Sequence, residues 1–522
     1  MVAEGDRPAT VPAFGGSYVE GVVGGVVHLN PLLAETDVDR DVARLVFTGL
    51  TRSDREGEVV PDLAASVDVD DDGRVWTFEI RDDARWHDGM PVVADDVVYT
   101  VSLLQDPLYR GAYAEALRDV TVERVGTRVV RFTLPGAYGP FAGSTTFPLL
   151  PAHKLGGVPF EQLALDPFDQ QPVGSGPFKL GAVEGRDVVL LANLDFYRNA
   201  PERTRPYLDR IVLRSYGDMP EALMALARGE LDGVATVSTT DAERARALPT
   251  IAIYSYPTND YVALFLDLRP EKPVFRERAV RQAIATAIDR GSVLGAAVDG
   301  RGRVADSIVP RTSWAYTETV VRYEHSYEGA AGLLERAGWR DTDGDGIRDK
   351  DGVSLHFTIA TSDEPARTSA GRQITADLRK VGIQADLASF PFGELVQEVI
   401  PARAFDALLV GITGTPDPDP YSFFHSSQTE HPGFNFSGYS TLPMDRALEA
   451  ARQTADRESR KALWAPVFEA ISTEVPVVYL YFSDHLYAQH TSVKGTKVAQ
   501  IVEPTQRFWD VEDWFVKSLP RR

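Results

Sequence analysis

The stretch VDVDDDGRVWTFEIRDDARWHDGMPVVADDV, residues 67–97, contains two Asp-Gly pairs and an alternating segment between them. In Val75–Ile80, every second side chain is apolar, which predicts a strand with one buried face. Asp72-Gly73 favours a tight turn just before this strand, and Asp88-Gly89 favours a second turn further along the chain. Asp95 and Asp96 then suit the first turn of a helix, where the helix dipole favours acidic groups.

The same alternation of strands and helices continues on both sides of this stretch. Strand patterns occur at residues 17–21, 188–193 and 210–215, and an apolar helical stripe runs through residues 275–294. Strands separated by helices imply sheets covered by helices, so the sequence predicts the α/β class. A helix is also predicted from Leu29-Asn30-Pro31 to about Leu50.

Composition excludes several classes of protein and of site. The chain has 522 residues, enough for two or three lobes, and a net charge of -22, which argues against nucleic acid as a partner. The absence of cysteine excludes disulfides, thiolate zinc sites and a cysteine nucleophile. The sequence also lacks the run of about 18 apolar residues that a membrane helix needs.

The first residues of the chain, up to about Pro12, are mostly small or polar and include prolines. This composition predicts a flexible tether over residues 1–14. They lack the basic and apolar regions of a signal peptide. The chain is therefore either a cytoplasmic protein or an exported protein whose leader is absent, and composition leaves both explanations open.

Ordered motifs along the chain resemble those of the large peptide-, dipeptide- and nickel-binding proteins of ABC importers, solute-binding family 5. The resemblance covers nearly the whole chain from about Gly15. The motifs are Leu29-Asn30-Pro31-Leu32, Pro61-Asp62-Leu63-Ala64-Ala65-Ser66, Trp86-His87-Asp88-Gly89, Ala94-Asp95-Asp96-Val97, Gly174-Ser175-Gly176-Pro177-Phe178, Tyr207-Leu208-Asp209, Val280-Arg281-Gln282-Ala283-Ile284 and Ala337-Gly338-Trp339.

This resemblance implies a two-lobed periplasmic-binding-protein-like α/β fold (class II, large cluster C type) with an extra inserted domain. Lobe I would comprise residues 15–50, 172–258 and 485–522, the inserted domain residues 51–171, and lobe II residues 259–484. The two lobes would close on a solute in the cleft between them, about hinge strands near residues 258–264 and 479–484.

The resemblance also implies a role and a location. The protein would be a monomer that captures a small solute, most simply an oligopeptide or dipeptide, and delivers it to an ABC permease in the membrane. It would act outside the cytoplasm, either in the periplasm or lipid-anchored at the cell surface. No cofactor is implied.

The proline-rich segment Thr415-Pro416-Asp417-Pro418-Asp419-Pro420-Tyr421 holds the first candidate ligand residues. Its prolines restrict the backbone, so Asp417 and Asp419 are either rigid carboxylates that bind an ammonium or hydroxyl, or parts of a stiff surface turn. Family members that bind a peptide's free amine commonly carry aspartate where this chain has Gly414. Asp417 or Asp419 would take that role, or the ligand is not a free-amine peptide.

Four further residues are candidate ligand contacts. Tyr481 matches a family position whose hydroxyl faces the ligand, and Tyr479 lies on the same strand face by period two. Asn435 matches another family position, although a turn or capping role is the alternative. His28, which precedes the Leu29-Asn30-Pro31 motif, completes the set.

The acidic segment 341–349 places Asp341, Asp343, Asp345 and Asp349 at positions one, three, five and nine of a calcium-type loop. Gly352 occupies the twelfth position, where an EF-hand carries a bidentate glutamate. Two interpretations remain: a structural acidic turn between a helix and a strand, or a calcium site.

Signature motifs of common enzymes are absent, including the zinc-protease, P-loop, nucleophile-elbow and dinucleotide-binding motifs. We therefore predict a binding protein rather than an enzyme. Two alternatives differ in ligand or class: a receptor for an oligosaccharide or a metal chelate, and a secreted acidic hydrolase that uses paired carboxylates.

Overall fold

The computed structural model describes residues 10–415 and 417–520, which fall into two compact units. The first unit contains the described residues up to Tyr256 and again from His485, and the second is the continuous stretch Pro257–Asp484. The lobe boundaries expected from the sequence lie after residues 258 and 484. The chain therefore passes between the units twice, each time within a long strand.

The described residues form twenty-one strands and fourteen α-helices. The strands are β1 Thr10–Ala13, β2 Ser17–Val23, β3 Thr51–Ser53, β4 Val59–Pro61, β5 Ala64–Val69, β6 Val75–Ile80, β7 Thr121–Arg124, β8 Val129–Thr133, β9 Phe178–Glu184, β10 Asp187–Ala192, β11 Arg210–Tyr216, β12 Gly233–Val234, β13 Ile251–Leu266, β14 Gly302–Val304, β15 Asp349–Lys350, β16 Val353–Ser354, β17 His356–Ser362, β18 Gln384–Phe390, β19 Ala407–Ile412, β20 Val477–His490 and β21 Lys517–Pro520.

The α-helices range from single turns to eighteen residues. They are α1 Asp37–Val46, α2 Ala94–Leu104, α3 Ala114–Leu117, α4 Ala152–Leu155, α5 Met219–Ala227, α6 Thr239–Arg246, α7 Arg278–Ala287, α8 Arg290–Val298, α9 Tyr327–Arg336, α10 Pro365–Arg379, α11 Phe392–Glu394, α12 Tyr421–Phe424, α13 Leu442–Gln453 and α14 Arg457–Glu474. Short 3-10 helices occur at Pro31–Leu33, Gly139–Thr145, Phe160–Leu165, Pro167–Asp169, Pro273–Phe275, Ser426–Gln428, Pro504–Phe508 and Val511–Asp513, and a π-helical turn at Leu395–Val399.

The first unit contains a mixed sheet and a smaller antiparallel sheet. In the mixed sheet, β2 pairs in parallel with β11 and β12, β9 and β10 continue from β11, and the end of β20 pairs with β12. The smaller sheet has the order β5-β6-β8-β7 and lies within residues 51–171, the range in which the family resemblance implies an inserted domain. In β6, the alternating apolar side chains are buried as predicted.

The second unit is built on a sheet that is covered on both faces. β17 pairs in parallel with β18 and β19, and β19 pairs antiparallel with β13. Along β13, Val262 and Leu264 pack into one apolar cluster, and Tyr261 and Phe265 pack into another. Because strand side chains point alternately to opposite faces, the two clusters are the cores on the two sides of this sheet.

A buried charged network ties the C-terminal segment into the first unit. The Arg507 guanidinium pairs with Glu20 on β2 at 3.0 Å and with Asp41 on α1 at 2.5 Å. All three residues are buried. The hydroxyl groups of Tyr18 and Tyr487 both donate hydrogen bonds to the Glu20 carboxylate. Two buried acids thus depend on one arginine near the C-terminus.

Two predicted helices need correction. The helix expected over residues 275–294 is two helices, α7 and α8, because the Asp289 side chain accepts hydrogen bonds from the N–H groups of Gly291 and Ser292 and caps a new helix. The helix expected after Pro31 is one 3-10 turn, and α1 begins later, where Thr36 forms a capping box with Asp39.

The N-terminal prediction concerned residues 1–14 as a tether. Thr10–Ala13 form β1, which pairs antiparallel with β21. Residues 1–9 lie outside the described part of the chain. Within the described part, we find no helix with the length and apolarity required to cross a membrane.

Candidate functional site

The first unit contains a cavity of about 710 Å³, a volume within the range of small-ligand sites in proteins. Its lining comes from α1 and the preceding 3-10 turn, from residues 108–113, and from a C-terminal stretch that includes Glu503 and Phe508. Every lining residue belongs to this unit. The cavity is therefore a property of one folded body.

Helix α1 turns one face to the cavity and the opposite face to the core. Arg40, Arg44 and Phe47 recur at spacings of four and three residues and line the cavity. Val42 and Leu45 lie on another face of the helix and are buried. The helical period of 3.6 residues thus places two arginines on the cavity side of a helix anchored by its apolar face.

Arginines outnumber carboxylates in the cavity, although the whole chain is strongly acidic. The charged lining residues are five arginines, Arg40, Arg44, Arg52, Arg110 and Arg198, and three acids, Glu35, Asp62 and Glu503. The excess of positive charge in the lining therefore favours an anionic ligand group over a cationic one.

Asp62 is a buried acid in the lining of the cavity. It accepts a hydrogen bond of 2.7 Å from the Tyr197 hydroxyl, and the Arg52 and Arg198 guanidinium groups lie 3.8 and 3.7 Å from it. Burial lowers the pKa of Arg198, but Glu512 and Asp62 outweigh it and the pKa is raised overall. Arg52 and Arg198 thus already share a carboxylate.

Arg44 is different from these two arginines. Among the described residues, its guanidinium has no hydrogen-bond or ion-pair partner. Burial and the nearby Arg198 charge lower the pKa of Arg44 from its usual value. Arg44 thus lines the cavity with guanidinium donors that no described residue fills.

His28, one of the predicted ligand contacts, also lines this cavity, and its contact with a ligand stays a prediction. Its Nδ1 lies 2.8 Å from the carboxylate of Asp169. That carboxylate also accepts from the N–H groups of Leu29 and Asn30. Asp169 therefore fixes the His28 ring and the segment before the 3-10 turn.

In the second unit, both aspartates of the proline-rich segment are engaged by arginines. Asp417 pairs with Arg460 at 2.8 Å, and Asp419 pairs with Arg452 at 2.6 Å. Burial raises the pKa of Asp417 to about 6, and its Oδ1 has no hydrogen-bond partner among the described residues. Pro416 of this segment lies outside the described residues. Ligand binding by these aspartates stays a prediction.

The remaining candidates of the second unit are buried. The Tyr481 hydroxyl accepts a 3.0 Å hydrogen bond from Arg367, and the Tyr479 hydroxyl has no partner among the described residues. The Asn435 side-chain amide donates to the carbonyl of Tyr439 at 2.9 Å, a turn contact of the alternative kind. Their contact with a ligand also stays a prediction.

Position 414, where the resemblance expects an amine-binding aspartate, has no room for a side chain. A Cβ on Gly414 would lie 2.3 Å from the Asn259 carbonyl oxygen. The Gly414 N–H instead donates to Asp260 on β13. Sequence reasoning missed Asp260 because it lies more than 150 residues before Gly414.

The acidic segment 341–349 forms a turn with internal hydrogen bonds. Oxygen atoms of Asp341, Asp343 and Asp345 lie within 4.8 Å of one another, a group that could hold a metal ion. The fourth predicted ligand, Asp349, accepts from Thr342 instead. Asp341 also accepts from the N–H groups of Gly344 and Gly346, which suits a structural turn.

Comparison with known proteins assigns the family. The model of the bacterial extracellular solute-binding proteins, family 5 Middle, matches residues 58–434. The oligopeptide-binding protein AppA of Bacillus subtilis is 30% identical over 521 residues, which is 98% of this chain and 93% of AppA. The chain belongs to the family 5 solute-binding proteins.

Solved structures agree with this membership. AppA in complex with a nonapeptide matches this family 5 protein with a TM-score of 0.69, covering 97% of this chain and 100% of the AppA chain. NikZ from Campylobacter jejuni, in complex with Ni(L-His), matches with a TM-score of 0.72 and 27% identity, covering 96% and 99% of the two chains.

Family membership confirms three sequence predictions for this solute-binding protein. The periplasmic-binding-protein-like α/β fold class is confirmed. The resemblance to family 5 and the role of solute-binding component of an ABC importer are confirmed as well. The individual ligand residues are not tested by these comparisons.

Proposed function

We propose that this family 5 protein captures an oligopeptide outside the cytoplasm and delivers it to the permease of an ABC importer. The similarity to AppA carries the proposal, because it spans 98% of this chain and AppA is described as oligopeptide-binding. Because the similarity extends over nearly the whole of both chains, we expect this protein to share the ligand-binding fold of AppA.

The cavity of the first unit supports a peptide ligand. Its arginines can bind carboxylate groups, and its aromatic side chains, including Phe47, Tyr109 and Phe160, can pack against apolar side chains. Peptides combine both kinds of group. The volume of the cavity, about 710 Å³, is in the range of pockets that hold small ligands such as short peptides.

A metal chelate is the second candidate ligand. The observation in its favour is NikZ, which is 27% identical and is described with Ni(L-His). His28 would be the first residue to test for it, because it lines the cavity. Its ring is also bonded to Asp169, which would hold the imidazole in a fixed orientation.

The proposal also covers state and location. We propose a monomer that binds without cleaving its ligand, located in the periplasm or lipid-anchored at the cell surface. Light scattering with and without peptide tests the monomer. Mass spectrometry of the ligand recovered after incubation tests the absence of cleavage, because a hydrolase would return fragments.

Calorimetric titration with alanine- and leucine-based peptides of two to nine residues tests the proposed function. Nickel-histidine and maltotriose serve as competing ligand classes. Binding of peptides with micromolar or tighter dissociation constants supports the proposal. Binding of nickel-histidine alone, or of the sugar alone, would replace it.

A further inference from the structure

We infer that the cavity of the first unit binds a carboxylate group of the ligand and that Arg44 is the residue that binds it. This inference rests on the proposed function, since it names the part of a peptide that the cavity recognises. It concerns one residue of α1 that the comparisons leave without a role.

The argument begins with how the other cavity arginines are used. Arg52 and Arg198 lie beside Asp62, and Arg198 also pairs with Glu512 at 3.4 Å. Arg40 pairs with Asp37 at 2.5 Å. The charges of these three arginines are therefore compensated by residues of the protein itself, and the fifth arginine, Arg110, is exposed to solvent.

Arg44 has no such compensation within the described residues. The acids that act on it, Asp62 and Glu503, are themselves bonded to Tyr197 and Thr505. A guanidinium offers five donors in a planar fork that matches a carboxylate in two parallel hydrogen bonds. An incoming carboxylate would supply the partner that the folded chain does not.

The neighbours of Arg44 define what lies next to that carboxylate. Phe47, which caps the C-terminal end of α1, lines the same cavity, as do Tyr109, Phe160 and Phe508. Aromatic side chains favour an apolar group beside the charge. The ligand chemistry is thus a carboxylate attached to an apolar residue, either the terminal carboxylate of a peptide or an acidic side chain.

Three peptides separate these sources: trileucine, trileucine amide and Leu-Glu-Leu amide. We expect calorimetry to show that the unchanged protein binds trileucine about tenfold or more tightly than trileucine amide. Arg44→Gln should abolish that difference by weakening trileucine alone. If the side chain is the source, Leu-Glu-Leu amide should bind tightly and lose affinity in Arg44→Gln.

Arg228→Gln is the matched control, because it removes the same charge from the same unit at an exposed position outside the cavity, where the guanidinium pairs with Glu230. It should leave the preference for the carboxylate unchanged. Equal binding of all three peptides by the unchanged protein would overturn the inference while leaving peptide binding intact. Binding of no peptide would overturn the proposed function together with the inference. The amide comparison needs no variant, so a folding defect in Arg44→Gln cannot obscure the result.

Discussion

The backbone N–H of Gly414 donates a hydrogen bond of 3.0 Å to the carboxylate of Asp260. Asp260 thereby brings a carboxylate to the residue at which other family members commonly carry an aspartate for the ligand's amine. Gly414 cannot take that role, because a Cβ would clash with the Asn259 carbonyl. We therefore expect Asp260 to supply the carboxylate that binds the ligand's amine.

We expect Asp260→Asn to weaken binding of a free-amine peptide by about tenfold, because it removes the charge that pairs with an ammonium. The asparagine oxygen still accepts from Gly414, so the local backbone is retained. Calorimetry with trileucine and its N-acetyl derivative measures the effect. Equal losses for both peptides would contradict the ammonium role.

The same residue predicts a pH dependence of binding. Burial raises the pKa of Asp260 above its usual value, although the Gly414 hydrogen bond opposes the shift. Because the ionised carboxylate is the form that binds an ammonium, affinity should fall as the pH is lowered through this raised pKa. Asp260→Asn should show a flatter profile over the same range. An unchanged slope in the variant would assign the dependence to another group.

Arg507→Met should destabilise the first unit strongly. It leaves Glu20 and Asp41 buried without their cation, which typically costs about 3–5 kcal/mol. Thermal unfolding followed by circular dichroism measures the loss. Arg228→Gln removes an exposed pair with Glu230 and should change stability by about 0–1 kcal/mol. Equal effects of both substitutions would contradict the importance assigned to burial.

Asp510 predicts how stability changes with pH. Burial raises its pKa to about 7, so the folded state keeps a proton that the unfolded chain loses near pH 4. Its contribution to stability is therefore lost as the pH rises from about 4 to 7. We expect Asp510→Asn, which keeps an acceptor for the Trp514 indole N–H, to gain relative stability over that range.

Unfolding temperatures at pH 5 and pH 8 measure this difference, which should be larger at pH 8. Asp71→Asn, at an exposed site in the same unit, is the control and should show no such trend. A variant that loses stability at pH 8 relative to the unchanged protein would contradict the assignment.

Thermal unfolding with and without calcium can decide whether the acidic segment 341–349 is a structural turn or a calcium site. Because Asp341 accepts from the N–H groups of Gly344 and Gly346, we expect Asp341→Ala to lower the unfolding temperature even in the presence of a chelator. Chelator alone should leave the unchanged protein unaffected. A rise on adding calcium, lost in Asp343→Asn and Asp345→Asn, would establish the calcium site instead.

Local patterns predicted the elements that depend on short-range chemistry. The alternation in Val75–Ile80 is strand β6, and the acids after residue 94 begin α2. The helix over residues 275–294 was predicted too long, because the apolar stripe continues past the point where Asp289 caps a new helix. At this point the apolar stripe favours one continuous helix, whereas the Asp289 cap starts a new one, and the structure has two helices.

The partners of charged residues could not be predicted in the same way. Asp417 pairs with Arg460 and Asp419 with Arg452, and each arginine lies more than thirty residues after its aspartate in the chain. Asp260 and Gly414 are further apart still. Such pairs depend on how distant elements pack, which a local pattern does not specify. For the same reason, Arg44 could be placed on α1 but not recognised as unpaired.

The contribution of Arg507 has a consequence for biosynthesis. A ribosome releases the N-terminus first, so Glu20 and Asp41 emerge hundreds of residues before the arginine that neutralises them. The second unit, a continuous stretch, can complete itself earlier, since domains generally fold as units during synthesis. The first unit must wait, with two acids unmatched, until translation is nearly finished.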